Sequence, residues 1–533
     1  MCDGPSRNCA IGGAERAAAL LGVVLLTACG AGGFPTPPRD ASVVRIAAPS
    51  RISAMTPSAS WDYYTAQVTR LVFEGLTRIE ENGELVPGLA RSWSAARAGR
   101  EFRYVLRTGV TFHDGTPFTA ADVRRCWMAA LRVDPDALSH PWMLDAIEGA
   151  LEFSRGTRDD LPGLVVVDDT TLVVRLREPL AFFPTLTALP QTAISAEASG
   201  SARPLGTGPW RWVGSGGSES DIRFARNARY WGDPPHLDSL LHRFVPDSLA
   251  DRAFAAGFVD MVSELPVVTR LEWSARSDVG FVESAAAALT RIVINMREPV
   301  FHDVRVRRAL NHAIDATRLA QTTAAPTSVR AAGSIPPSLP GADPEREPYA
   351  FDPALARYLS RQGGYPADRP LRLWAPGPGL ADYPPEIGQL VRSYLEGAGF
   401  KVELTTQRRG LEQALRDRKA DLVISVWVGD YPDGDAYLYP LYHSTVAGSA
   451  GNDGAYANPA VDRLIDASRS ALDPARRAAL LRAADSLVFV DAPAVPLWFT
   501  HSATAYSLRL AGWGRDPQGS RFTTLRLAAD GMP

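Results

Sequence analysis

The sequence DLVIS at Asp421–Ser425 is followed two residues later by WVGDYPDGDAYLYPLY at Trp427–Tyr442. A short apolar run of this kind predicts a buried strand, and the acids, aromatic residues and prolines after it predict a loop that carries polar groups into a cleft. Asp430, just past the strand, is the predicted centre of a site. The alternative is a turn-rich surface loop whose aromatic side chains pack on the core.

The flanking sequence predicts an α/β sheet with helices on its faces. Strand patterns at 289–295, 371–374, 401–405 and 495–499 alternate with helical patterns at 303–315, 387–395, 411–418, 459–471 and 474–487. Ligands of such sheets bind outside the carboxyl ends of the strands, which is where Asp430 falls. Residues from about 78 to 200 have their own pattern, including a predicted hairpin at 164–176, and form a separate α+β block.

Composition limits the function classes. A chain of 533 residues with 46% apolar and 22% charged residues is too long for one core and predicts two or three domains. The 56 Lys and Arg residues nearly balance the 59 Asp and Glu residues, for a net charge of -3. A nucleic-acid partner is therefore not expected, since such proteins carry basic patches.

The amino terminus predicts export. Arg16 precedes a twelve-residue apolar segment, 17–28, which is too short to cross a bilayer and is typical of a signal peptide that is removed. Leu26–Cys29 resembles the bacterial lipobox, in which the cysteine is lipid-modified, and the Gly- and Pro-rich residues that follow have linker composition. We therefore expect a signal peptide at 1–28, a lipid on Cys29 and a tether over 29–41. Cys126 then remains as a single free thiol in a helix capped by Thr119, and a packed thiol is favoured over a nucleophile.

Catalytic patterns are missing from the sequence. It has no Gly-x-Ser-x-Gly elbow, no phosphate-binding Gly-x-x-x-x-Gly-Lys loop and no His-Glu-x-x-His helix. His236 and His242 are interpreted as loop histidines rather than metal ligands. No catalytic residue, metal or cofactor is therefore predicted, and a binding protein is favoured over an enzyme.

Several short motifs, in a shared order and spacing, resemble one known family. The chain resembles the extracytoplasmic solute-binding proteins of peptide and nickel ABC importers, family 5, and looks most similar to the oligopeptide-binding branch. The motifs that carry the resemblance are Phe73–Leu76, Val86–Trp93, Leu106–Val110, His113–Pro117, Ala121–Val123, Gly206–Trp210, Arg226–Trp231, Phe301–Leu310, Ala313–Asp315 and Trp427–Tyr431. Of these motifs, we interpret His113–Pro117 as a tight turn and the Val304–Arg308 segment as a solvated helix face.

The resemblance implies a two-lobed, type II periplasmic-binding-protein (Venus-flytrap) fold with an extra inserted α+β domain. Lobe one would comprise 42–77, 200–288 and 496–533, the inserted domain 78–199 and lobe two 289–495. Two crossover segments would form the hinge, and a ligand between the lobes would stabilise the closed form that the membrane permease recognises.

The resemblance also implies roles for individual residues. In peptide-binding members an aspartate at the position of Asp430 receives the α-ammonium of the ligand, and the tryptophan at the position of Trp427 walls a side-chain pocket. Tyr431 is a further candidate, and nearby Asp433 and Asp435 could line the site or be structural. No basic residue aligns securely for the ligand carboxylate. Arg416 is a candidate, and Arg409 stands near a position that is aromatic in the oligopeptide branch.

Three functions follow as expectations. The first is a membrane-anchored, extracytoplasmic lipoprotein that delivers peptides to the transmembrane subunits of an ABC permease. The second is the same clamp with another ligand, such as a nickel chelate, haem, a sugar or an antibiotic. The third is an enzyme or adhesin on this fold. The sequence identifies neither the ligand nor the permease.

Overall fold

The computed structural model describes residues 43–48, 55–60, 63–134, 137, 140–196, 204–215, 221–263, 265, 269–283, 287–323, 328–377, 386–448, 451–516, 519–522 and 524–528. The predicted signal peptide, Cys29 and the whole of the tether lie outside these residues. No helix in these ranges combines the length and apolar character needed to cross a membrane.

The described strands, numbered along the chain, are β1 (Val43–Ala48), β2 (Thr77–Ile79), β3 (Leu85–Pro87), β4 (Ala90–Ala96), β5 (Glu101–Leu106), β6 (Leu164–Asp168), β7 (Thr171–Arg175), β8 (Trp210–Ser215), β9 (Ile222–Arg226), β10 (Ser239–Phe244), β11 (Met261–Ser263), β12 (Val279–Glu283), β13 (Ala288–Ile294), β14 (Val329–Arg330), β15 (Pro370–Pro376), β16 (Lys401–Gln407), β17 (Leu422–Val428), β18 (Ala494–Thr500), β19 (Ala503–Ser507), β20 (Leu510–Ala511), β21 (Gly514–Asp516), β22 (Gly519–Arg521) and β23 (Arg526–Leu527).

The described α-helices are α1 (Tyr63–Val72), α2 (Ala120–Ala130), α3 (Ala150–Ser154), α4 (Phe183–Leu186), α5 (Asp247–Ala255), α6 (Arg270–Ser274), α7 (Val304–Ala313), α8 (Ala316–Thr323), α9 (Pro353–Gln362), α10 (Ile387–Gly397), α11 (Leu411–Arg416), α12 (Asp435–Tyr442), α13 (Pro459–Ser470) and α14 (Pro474–Asp491). Polar caps start several of them. Asp303 accepts a hydrogen bond from the Arg305 amide before α7, and Asp473 accepts one from the Arg476 amide before α14.

Two large mixed sheets form the two lobes. The first has the order β12-β19-β11-β1-β10-β9-β8, with β1 parallel to both β10 and β11. The second has the order β14-β18-β13-β17-β15-β16, in which β15 is parallel to β16 and β17 while β13 is antiparallel to β17 and β18. Their apolar faces are buried under helices in separate clusters. The predicted α/β architecture, two lobes with helices on the sheet faces, is confirmed.

The inserted block has a sheet of its own. Strands β4, β5, β7 and β6 lie side by side in an antiparallel sheet, and β6 and β7 form the predicted hairpin. Helix α2 packs over this sheet, with Cys126 buried against it, and the Thr119 amide donates to Asp122 as in a helix cap. The core of the block is continuous with side chains of α12. The inserted block therefore contacts lobe two as well as lobe one.

The positions where the chain crosses between the two large sheets define the lobe boundaries. The first crossover lies between Glu283 and Ala288, close to the predicted boundary at 288. The second lies between Thr500 and Ala503, because β18 pairs with β13 along its whole length. Residues 496–500 therefore belong to the sheet of lobe two, and the predicted boundary at 495 is five residues too early.

The structure explains two of the sequence motifs and corrects one interpretation. His113–Pro117 is a tight turn as predicted, in which Asp114 accepts from the Thr116 amide, and His113 donates to the Gly208 carbonyl at 2.9 Å. The Val304–Arg308 segment is not only a solvated helix face, because Arg307 is buried. Its guanidinium donates to the carbonyls of Phe301, His302 and Asp491, which satisfies main-chain acceptors at the ends of two neighbouring elements.

The prediction that His242 lies in a loop is wrong. His242 lies in β10, buried between the rings of Phe224 and Phe522. Burial lowers its pKa to about 4, so the neutral ring is the form present at neutral pH. His236, in contrast, is an exposed residue in the loop before β10.

Candidate functional site

Strand β17 positions the candidate site at one edge of the second sheet. Its first four residues, Leu422–Ser425, are buried, whereas Val428 at its end is exposed. Asp421, just before the strand, accepts hydrogen bonds from the guanidinium groups of Arg369 and Arg372 at 2.7–3.2 Å and from the Arg372 amide. This network fixes the start of the strand, and the strand delivers Asp430 beyond its carboxyl end.

A close approach of the backbone to an aromatic ring fixes the loop at Gly429. A Cβ atom on Gly429 would lie 2.6 Å from the ring of Tyr437, so a side chain at this position would displace that ring. The Tyr437 hydroxyl donates to the Ala287 carbonyl at 2.6 Å. The residue before Asp430 is thereby packed on α12, which is in turn tied to the crossover between the lobes.

Asp430 is a carboxylate near which the described ranges of the chain place no cationic partner. No hydrogen bond or ion pair to its side chain is present among the residues that the structure describes. The side chain is exposed, yet desolvation by the surrounding protein raises its pKa to about 6. A side chain that solvent reaches and that is also surrounded by protein lies in a concave site. Such a carboxylate can accept a cationic ligand group without first breaking an internal ion pair.

Trp427 is fixed by the helix that follows it, and this helix corrects the prediction of a continuous loop to Tyr442. Residues Asp435–Tyr442 form α12 although Pro440 lies inside it. Proline has no amide hydrogen, so the Ala436 carbonyl one turn earlier lacks its helical donor. The Trp427 indole N–H donates to that carbonyl at 2.8 Å. The half-buried Trp427 ring is therefore held between β17 and α12.

The other two acids of the loop are paired within lobe two. Asp433 is bound by both terminal nitrogens of Arg477 at 2.6 and 2.7 Å, and Asp435 by Arg469 at 3.1 Å. Asp435 is fully buried, and burial raises its pKa. These contacts support the structural alternative for Asp433 and Asp435, since their charges are already compensated.

Tyr431 joins the loop to the inserted block. Its hydroxyl donates to Asp435 at 2.7 Å, and its ring stacks on Phe182, with centroids 5.2 Å apart. Trp142, an exposed side chain of the inserted block, lies 6.0 Å from the same ring. Tyr431 is only 6% exposed, so its contacts are those of an interdomain packing residue. Sequence reasoning did not select Phe182 or Trp142, since both lie far away in the chain and in no distinctive pattern.

Arg416 lies away from Asp430. Helix α11 returns from the carboxyl edge of β16 to the edge where β17 starts, so Arg416 at its end is separated from Asp430 by the length of β17, about 20 Å. Its guanidinium binds Asp453 and Gln413. Arg416 is therefore not a candidate for the ligand carboxylate in this structure. Arg409 is exposed in the loop after β16, at the same sheet edge as Asp430.

The described residues contain no cluster of histidine, cysteine and acidic side chains that could hold a metal ion. Cys126 is buried, and its burial raises the pKa of the thiol. A raised pKa makes the thiolate scarce, as expected of a packed thiol rather than a nucleophile.

A comparison with protein families matches residues 84–449 to the model described as bacterial extracellular solute-binding proteins, family 5 middle. Among curated relatives, the glutathione-binding protein GsiB of Escherichia coli O1:K1 / APEC is 25% identical over 490 residues, which cover 89% of this chain and 92% of that protein.

Solved structures share the fold over 91% of this chain. The periplasmic binding protein DppA of Helicobacter pylori, in complex with the peptide STSA, is 22% identical, is covered to 98% and has a TM-score of 0.74. NikA of Brucella suis, in complex with Fe(III)-EDTA, is 22% identical, is covered to 100% and has a TM-score of 0.78. The same two-lobed fold therefore holds ligands of different chemistry.

Proposed function

The chain belongs to family 5 of the bacterial extracellular solute-binding proteins, the substrate-binding components of ABC importers, and we propose that its ligand is a short peptide bound through its free amino group. The observation that carries this proposal is Asp430, a desolvated carboxylate at the carboxyl edge of a sheet that pairs with no cation in the part of the chain that the structure describes. A peptide ammonium is a small cation with three donors and matches a single carboxylate of this kind.

Other residues of the loop contribute to this site indirectly. Trp427 forms a wall beside Asp430, held by its hydrogen bond to Ala436. Tyr431 holds the loop that carries Asp430 in place, because its ring stacks on Phe182 and its hydroxyl donates to Asp435. The glutathione named for the GsiB relative is itself a small peptide with a free amino group, which is consistent with this assignment. The family's role is transport, so the ligand is captured and delivered to the permease rather than transformed.

Blocking the amino group of the ligand tests the proposal. We expect Ala-Ala-Ala to bind the purified protein and N-acetyl-Ala-Ala-Ala to bind roughly 100-fold more weakly, because the acetylated peptide leaves Asp430 desolvated and unpaired. Isothermal titration calorimetry measures both affinities. Equal affinities for the two peptides would contradict the proposal. So would binding of neither peptide together with a metal chelate or sugar found by mass spectrometry in the natively purified protein, and the ligand would then belong to another class.

We also propose that the protein is a lipoprotein anchored through Cys29. The support is the apolar segment 17–28 and the lipobox-like sequence Leu26–Cys29. Replacement of Cys29 by Ser is expected to move the protein from the membrane fraction to the soluble extracytoplasmic fraction, since the lipid would no longer be attached. Fractionation followed by immunoblotting measures this. An unchanged membrane fraction would exclude Cys29 as the anchor.

A further inference from the structure

A buried arginine that has no acidic partner among the described residues lies beside the wall of the site. Arg291 is in β13 and is 3% exposed. It donates from one terminal nitrogen to the Gly451 carbonyl at 2.8 Å, and its guanidinium carbon is 5.9 Å from the centre of the Tyr442 ring. Its Nε is buried without a hydrogen-bond partner, and the ion pairs found among the described residues include none to Arg291.

Other arginines of lobe two, which are buried or half-buried, have more hydrogen-bond acceptors or an acidic partner. The Nε atom of Arg477 is also buried without a hydrogen-bond partner, but both of its terminal nitrogens bind the Asp433 carboxylate. Arg307 donates to three carbonyls. Arg330 donates to the carbonyls of Ala331, Pro496 and Leu497. A buried cation with one carbonyl and an unsatisfied N–H group is unfavourable unless something else supplies negative charge. An anion bound to the Arg291 guanidinium would therefore be stabilising.

The position of Arg291 connects it to Trp427. Leu289 pairs with Trp427 and Arg291 pairs with Ser425, so Arg291 and Trp427 lie on the same face of the sheet, one step apart. Gly451 touches both side chains: its carbonyl accepts from Arg291, and a Cβ atom on it would lie 2.7 Å from the Trp427 ring. The guanidinium therefore lies at the inner end of the Trp427 wall, and Ser425 stands opposite it.

The separation of the two unpaired charges suits a peptide. Ser425, opposite Arg291, is three residues from the end of β17, about 10 Å along the strand, and Asp430 follows two residues later. An extended peptide advances about 3.3 Å per residue, so a ligand of three to five residues can place an amino group at one charge and a carboxylate at the other.

We propose that Arg291 is the subsite for a ligand carboxylate, and that the ligand is a short peptide whose ammonium meets Asp430 and whose carboxylate meets Arg291. The proposal rests on the peptide function proposed above. The guanidinium presents its free Nε and a terminal nitrogen as a planar fork, which fits the two oxygens of a carboxylate. The Ser425 hydroxyl is a further donor beside it. Because the Nε atom of Arg291 is buried, entry of the carboxylate requires a side-chain movement that exposes this atom.

A peptide series with and without carboxylates tests this subsite by calorimetry. The probes are Ala-Ala-Ala, its carboxyl-terminal amide, and Ala-Glu-Ala amide. Wild-type protein is expected to bind at least one carboxylate-bearing probe roughly 10- to 100-fold more tightly than the Ala-Ala-Ala amide. Preference for Ala-Ala-Ala identifies the terminal carboxylate as the ligand group, and preference for Ala-Glu-Ala amide identifies a side-chain carboxylate. Absence of any preference in the wild-type protein overturns the proposal without a variant.

The variant Arg291→Gln then assigns the preference to this residue. It is expected to bind all three probes with similar affinity, while still preferring Ala-Ala-Ala amide over its N-acetyl form through Asp430. A preference for carboxylate that survives in Arg291→Gln overturns the proposal. Arg291→Lys, which keeps the charge and loses the fork, is the second variant if Arg291→Gln does not fold, and it is expected to retain part of the preference. If the wild-type protein binds Ala-Ala-Ala amide and its N-acetyl form equally well, the proposed peptide function itself is contradicted.

Discussion

Replacing Asp430 by Asn is expected to weaken peptide binding by roughly 100-fold and, at neutral pH, to make the ligand-free protein more stable. The loss of affinity follows because an amide gives the ligand ammonium a hydrogen bond but no opposite charge in a desolvated site. The gain in stability follows because the ionised Asp430 carboxylate is desolvated without a partner.

The sign of the stability effect comes from the pKa of Asp430. The folded protein raises this pKa from 3.8 to about 6, so the folded state binds the proton more tightly than the unfolded state. The stability of the folded protein therefore falls as the pH rises from 3.8 to about 6, and the whole destabilisation by the ionised Asp430 carboxylate is present above about pH 6. Because solvent reaches the side chain, we expect the gain in Asp430→Asn to be about 1 kcal/mol rather than the larger value of a fully buried group.

Calorimetry with Ala-Ala-Ala and thermal unfolding of the ligand-free protein measure the two effects. Asp368→Asn is the matched control, since Asp368 is exposed in the same lobe. That control should leave both affinity and melting temperature unchanged. If the Asp430→Asn protein binds Ala-Ala-Ala with wild-type affinity, Asp430 does not contact the ligand.

Replacing Asp433 by Ala is expected to destabilise the protein by about 3–5 kcal/mol, the opposite sign from Asp430→Asn three residues earlier. The substitution removes the carboxylate that forms two hydrogen bonds to Arg477, a guanidinium that is only 11% exposed. It also removes the acceptor of the Asp435 amide at the start of α12. The buried Arg477 guanidinium would lose its hydrogen-bonded carboxylate.

Chemical denaturation followed by tryptophan fluorescence measures this loss. The double variant Asp433→Leu with Arg477→Met is the control, because it removes both charges and should recover a large part of the stability. If Asp433→Ala unfolds at the same denaturant concentration as the wild-type protein, the pair with Arg477 is not structural, and Asp433 returns as a candidate for the ligand site.

Most of the fold could be predicted from the sequence because, in lobe two, the spacing of apolar residues along the chain matches the side chains that the structure buries. The strands at 401–407 and 422–428 and the helix at 387–397 are found within two or three residues of their predicted limits. Asp430 could be located for the same reason: a buried run that ends abruptly places the next polar residue at a sheet edge. The order of the strands, however, depends on long-range pairing that no local pattern encodes.

The errors have physical causes in particular residues. Pro440 argued against a helix at 435–442, but the Trp427 indole replaces the missing helical donor. Arg416 was selected for its charge, whereas its partner Asp453 lies 37 residues further along the chain. His242 has no local feature that distinguishes a buried strand residue from a loop residue. In each case a tertiary contact determines the role, and sequence spacing does not reveal it.

The proposed role of the Asp430 carboxylate, to receive the ammonium of the ligand, is tested by the pH dependence of peptide affinity. The affinity for Ala-Ala-Ala should be measured by calorimetry from about pH 7.5 to about pH 5 in the wild-type and Asp430→Asn proteins. In the wild-type protein it should fall below about pH 6, approaching tenfold per pH unit, because the proton competes with the ammonium for Asp430. The variant should be weak and insensitive to pH over this range. A wild-type affinity that does not change across pH 6, or a variant with the same pH profile, would show that Asp430 is not the group that receives the ammonium.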